Sequence, residues 1–297
     1  MTLRRESQAF MSGFGRRARS LGTAISIAIV GLFVFSFIPG SGSRSNAAAP
    51  QSSSTSSTSL VATSTTVAPH QLVASPRGAV TIVEIGDSLG IDLGWGLGVQ
   101  LAKSPQVHLI QAAVGSTGFS NPWYYNWPAH LTSLLAANHP QLLIVFLGAN
   151  DQQNFFVHGQ FCQVGTPCWK AEYARRVDAI LVLAHRAGTK VLWVGEPAMQ
   201  NPAFSQGVTM INSVVRRELD KAPWATYLSS DAVFTGPRGN FRMQAIVNHV
   251  ATDIRAPDGI HINLTGENLL AQEIVIDLRT TYGLKTYAAE PLTITAP

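Results

Sequence analysis

The sequence predicts an α/β fold of three layers, α/β/α, built on a mainly parallel five-stranded sheet. Two observations carry this. From about residue 78 onward, short apolar runs rich in β-branched residues alternate with segments of helical period. The runs are apolar at successive positions, which suits strands covered by helices on both faces. In sheets of this kind, ligands gather beyond the carboxyl ends of the strands.

The first strand is expected over residues 80–85 (VTIVEI), followed by a helix over 92–102. The second strand is expected over 107–113 and its helix over 130–138. A third strand over 142–147 precedes a helix over 170–187, and a fourth over 191–195 precedes one over 208–222. A weaker fifth strand over 225–228 leads to a last helix over 265–281. No internal repeat interrupts this alternation. Residues 77–283 thus form one domain, with an irregular tail over 284–297.

Ahead of that domain, composition changes twice. Residues 1–50 hold six arginines against the single acid Glu6, while the whole chain carries +4, so the remainder carries −1. The basic balance belongs to the N-terminus, and nothing supports a nucleic-acid surface. Five arginines precede an apolar run over 24–38, then Pro39-Gly40 and the small residues Ala47 to Ala49. Residues 1–41 read as either a cleaved secretory signal or a retained membrane anchor. In both cases the arginines stay inside, and the rest of the chain is extracytoplasmic. Residues 42–76 are dominated by Ser, Thr and Ala and read as a flexible linker. Cys162 and Cys168 share one short polar segment, and in an exported protein this spacing predicts a disulfide. Two cysteines without a histidine pair do not make a zinc site.

The chemistry-bearing residues fall at expected strand ends. Gly86-Asp87-Ser88-Leu89 follows the first strand, Val114-Gly115-Ser116-Thr117-Gly118 the second, and Gly148-Ala149-Asn150-Asp151 the third; Asp258-Gly259-Ile260-His261 lies near the end of the domain. Ser88 at a strand-to-helix junction, with Asp258 three residues before His261, supplies a nucleophile, an orienting acid and a base.

These four blocks, in this order, resemble the SGNH (GDSL-type) hydrolases over roughly residues 78–280. The resemblance implies a flavodoxin-like sheet and ester hydrolysis without metal or organic cofactor. It makes Ser88 the nucleophile, His261 the base and Asp258 its orienting partner. The backbone N–H groups of Ser88 and Gly115 and the side chain of Asn150 become oxyanion donors. The second block departs most from the family pattern, since Ala112-Ala113-Val114 precedes Gly115 where a polar residue is usual. Trp123 and Tyr124, in an aromatic segment after that block, are candidate sugar-stacking residues. Asp92, one helical turn beyond Ser88, is a candidate second partner in the substrate site. The expected reaction is removal of O-acyl groups, acetyl above all, from small-molecule or cell-envelope carbohydrate esters. The alternatives are an O-acyltransferase using the same site and a non-catalytic envelope-binding module.

Overall fold

In a computed structural model of the protein, residues 70–72, 74, 78–236, 238–286 and 292–295 are described. The expected leader and the linker as far as residue 69 lie outside them. Among the described residues, no helix is long and apolar enough to cross a membrane.

The central sheet is five-stranded and wholly parallel. Its strands are β1 (Val80–Gly86), β2 (Val107–Gln111), β3 (Leu142–Phe146), β6 (Lys190–Val194) and β7 (Ala225–Leu228), in the spatial order β2-β1-β3-β6-β7. Each pair is in parallel register, for example Ile82 with Leu142 and Val191 with Ala225. Five helices pack on the two faces: α1 (Ser88–Leu101), α2 (Trp127–Asn138), α3 (Pro167–Arg186), α4 (Pro202–Leu219) and α6 (Leu264–Thr280). The period-2 alternation of each strand feeds two cores. Ile82, Ile144 and Leu192 face α1 and α6, while Val83, Val145 and Trp193 face α2, α3 and α4.

Smaller elements decorate this frame. A hairpin of β4 (Phe155–Val157) and β5 (Gln160–Cys162) follows β3, and the Cys162–Cys168 disulfide ties it to the first turn of α3. A one-turn helix α5 (Asp231–Phe234) precedes β8 (Gln244–Val247) and β9 (Val250–Asp253). These two strands pair antiparallel, and β10 (Ile294–Thr295) adds to β8. The tail expected to be irregular therefore contributes a strand at 294–295, because β8 would otherwise present an unpaired edge.

The sequence places the start of the first helix four residues late. Its four glycines obscure the helical pattern, yet they are what the packing needs. A Cβ at Gly96 would stand 2.3 Å from the carbonyl oxygen of Glu267, so only glycine lets α1 cross α6 so closely. The α4 start is also earlier than expected, at Pro202, where Asn201 accepts hydrogen bonds from the Ala203 and Phe204 amides.

Beneath α1, the β1 residue Glu84 is fully buried against Gly90 and Gly94, and neither carboxyl oxygen has a hydrogen-bond partner among the described residues. Burial pushes its pKa well above the usual carboxylate range, and Asp87 adds to the effect. The folded protein thus keeps a proton that the unfolded chain gives up at the ordinary value. Stability must fall as pH rises through that window. Glu84→Gln, which cannot ionise, is expected to flatten the decline of Tm between about pH 5 and pH 8. Parallel Tm profiles for the two proteins would contradict this.

Candidate active site

Three connections at the carboxyl edge of the sheet converge. Ser88 opens α1 directly after β1, and Asp87 caps the helix by accepting the Leu89 amide at 3.0 Å. The other Asp87 oxygen accepts the amides of Gly148 and Ala149, which ties the β1 end to the β3 end. Asp87 is completely buried, and this burial raises its pKa to about 7 against the pull of those amides.

His261 reaches Ser88 from the opposite end of the domain. Its Nε2 lies 2.9 Å from Ser88 Oγ, and its Nδ1 lies 2.6 Å from Asp258 Oδ2. An ionised carboxylate only accepts, so Nδ1 carries the proton and Nε2 offers its lone pair to the serine hydroxyl. The second Asp258 oxygen accepts the backbone amides of Ile260 and His261 at 2.9 and 3.0 Å. Burial acts to raise the Asp258 pKa, but these amides and the imidazole outweigh it and hold the group below its ordinary value. The acid therefore stays ionised. Both side chains remain open to solvent, His261 at 39% and Asp258 at 45% exposure.

Two further residues fix the histidine segment. Arg255, 1% exposed, donates to the carbonyls of Ile260, His261 and Ala198. Burial lowers its pKa to about 10, so it is a cation at neutral pH, and its guanidinium stands over the rings of Phe234 and Phe241. Asp92 accepts the Ile262 amide at 3.0 Å. The expected partner Asp92 thus meets the site through its Oδ2, which holds the backbone beside His261. Burial raises its pKa to about 6, against the opposing Ile262 hydrogen bond.

The expected oxyanion residues also approach one another. The Val114 amide bonds the Gly86 carbonyl, and Gly115 lies against Ile91 in the first turn of α1. Asn150 Nδ2 donates to the Thr117 carbonyl at 2.9 Å, which brings it to the same loop and leaves its second N–H for another acceptor. Asp151, buried, shapes that loop: it accepts the Ser120 amide and the Tyr173 hydroxyl. Burial raises its pKa against those bonds.

The aromatic segment divides. Trp127 is buried and donates to Thr117 Oγ1, and Tyr125 stacks on His130. Trp123 and Tyr124 are exposed and meet each other edge to face. Sequence reasoning did not single out Arg255 or Asp151 as supporting residues. Arg255 lies three positions before Asp258 beside apolar Ile254, but an arginine carries no sign of burial on its own.

Among solved structures, the chain is similar to TesA, with 18% identity, TM-score 0.44, and 67% of this chain and 98% of that one covered. It is similar to the esterase EstA from Pseudoalteromonas sp., with 16% identity, TM-score 0.45, and coverage of 67% and 96%. It is also similar to Axe2, an acetylxylan esterase from Geobacillus stearothermophilus, with 11% identity, TM-score 0.47, and coverage of 72% and 99%. No curated protein sequence matches. The family model described as "Protein of unknown function (DUF459)" matches residues 81–277, a span that includes all four blocks. The chain belongs to this DUF459 family, whose members are SGNH-hydrolase-like.

Proposed function

We propose that the protein is an exported serine esterase that removes O-acyl groups, acetyl above all, from cell-envelope carbohydrate. The observation that carries this reading is the unbroken relay from Asp258 through His261 to Ser88, with contacts of 2.6 and 2.9 Å. The basic, apolar leader and its Ser/Thr-rich linker support export.

In the reaction, Ser88 Oγ attacks the ester carbonyl carbon as its proton passes to His261 Nε2. The carbonyl oxygen becomes an oxyanion held by the backbone N–H groups of Ser88 and Gly115 and by the free N–H of Asn150. Asp258 stabilises the imidazolium that has formed. Collapse of the intermediate breaks the bond to the alcohol oxygen, which leaves with the proton from His261. Water then attacks the acyl-serine, giving its proton to His261. A second collapse releases the carboxylic acid and returns the proton to Ser88.

The test is hydrolysis of p-nitrophenyl acetate together with labelling by a fluorophosphonate. The expected result is turnover that stops when one phosphonyl group is found on the peptide containing Ser88. Labelling elsewhere, or turnover unaffected by it, would overturn the reading. Asn150→Ala is expected to lower kcat by about 10²–10³ with little change in Tm, since it removes one donor from the oxyanion. A large change in Tm with kcat retained would reassign Asn150 to loop architecture alone.

A further inference from the structure

A concavity lies beside the segment that carries His261, with Gln200, which bonds Gly259, on its wall. It has a volume of about 580 Å³ and lies between the connection from β6 to α4 and the loop before β8. Gln200, Gln206, Thr209, Asn240, Phe241 and Pro202 are among its walls, and none of its lining side chains carries a charge. Arg238 and Arg242 line a separate concavity that shares only Asn240 and Phe241 with it.

Two contacts seat this cavity against the segment that carries His261. The Gln200 amide donates to the Gly259 carbonyl at 3.1 Å, and the Gln200 side chain covers Gly259 so closely that a Cβ there would collide with it. Phe241 lies 5.0 Å from the Arg255 guanidinium, which in turn holds the Ile260 and His261 carbonyls. The direction of the reaction makes this side meaningful. The departing alcohol oxygen must come within reach of His261 Nε2 to receive its proton, so the alcohol half of the ester lies on the histidine side. The donors Gly115 and Asn150 instead face the carbonyl oxygen.

The lining chemistry specifies the ligand. The carboxamides of Gln200 and Gln206 have no hydrogen-bond partner among the described residues, and each offers two donors and an acceptor. Hydroxyl groups both donate and accept, so a polyol satisfies such amides at both ends. The Phe241 ring and Pro202 offer apolar surface for the C–H face of a sugar ring. Uncharged walls give no partner to a carboxylate or phosphate.

We infer that this cavity is the leaving-group subsite and that it takes a neutral carbohydrate, an inference that rests on the esterase reading above. It makes the alcohol half of the ester, through Gln200, Gln206, Asn240 and Phe241, the main determinant of specificity. The exposed Trp123 and Tyr124 pair has no part in it.

The experiment compares the purified full chain with Gln206→Ala, Asn240→Ala and Thr209→Trp, the last filling the cavity from an exposed helix position. Substrates are a neutral acetylated xylo-oligosaccharide, an acetylated acidic sugar of similar length and p-nitrophenyl acetate. The expected result is that each variant loses about tenfold more kcat/KM on the sugar ester than on the aryl ester, chiefly through KM. Equal losses on both substrates, or none, would overturn the subsite while the esterase reading stands. Tenfold preference for an acetylated acidic sugar over the neutral one would overturn the ligand class. A wild-type protein inert toward both esters would overturn the esterase reading, and the subsite with it.

Discussion

Ser88→Ala is expected to lower kcat on p-nitrophenyl acetate by a factor on the order of 10⁶, with the fold intact. The size follows from what Oγ does and what it does not do. In the proposed reaction it is the atom that forms the covalent bond to the acyl carbon, and no remaining group can take that part. Its hydrogen bond is to His261 Nε2, whereas the helix start is capped by Asp87 and the histidine segment is held by Arg255 and Asp92. Removing the hydroxyl therefore subtracts chemistry without releasing structure, and Tm should shift by less than about 2 °C. The oxyanion donors remain, so a small residual rate above water is expected. Kinetics and thermal melting on the same preparation check both halves. Retained turnover would remove Ser88 from the reaction.

Asp258→Asn is expected to cost about 10⁴ in kcat while KM changes little. The carboxylate has two tasks that this substitution separates. An asparagine oxygen can still accept the Ile260 and His261 amides, so the turn persists. The new NH₂ group then faces His261 Nδ1 and donates to it. The ring must place its proton on Nε2, where it cannot receive one from Ser88. Asp258→Ala, which also releases the turn, is expected to lose Tm in addition to activity. If the asparagine variant kept full turnover, the histidine would need another orienting partner.

The strands were legible because they are buried on both faces. Continuous apolar runs such as Leu142 to Phe146 leave no competing pattern, and no observed strand of the main sheet runs more than one residue outside its expected range. The start of α1 was not legible, since Gly86 to Gly98 reads as turn-forming until the close crossing with α6 is known. The small sheet of β8, β9 and β10 was missed for a related reason. Four-residue strands with exposed positions, such as Val250 to Asp253, have too few buried residues to show a period. Within the site, short-range chemistry was readable: an acid three residues before a histidine can bond it within one turn. Long-range support was not. Asp92 meets Ile262 across 170 positions, and Arg255 is buried among carbonyls from the histidine segment and from Ala198, a choice of partners that no local window contains.

The pairing of Ser88 with His261 across 173 positions has a consequence for how activity is born. Contacts of such separation close large loops and form slowly relative to local ones. The proposed nucleophile sits on the first strand–helix unit and the proposed base just before the last described helix, so in this reading neither half of the chain is chemically competent alone. In a refolding experiment, esterase activity should rise after far-UV ellipticity, as the α1–α6 crossing docks. A chain emerging from synthesis would remain inert toward esters until α6 is in place. The proposed hydrolytic activity would thereby be a late reporter of completed topology.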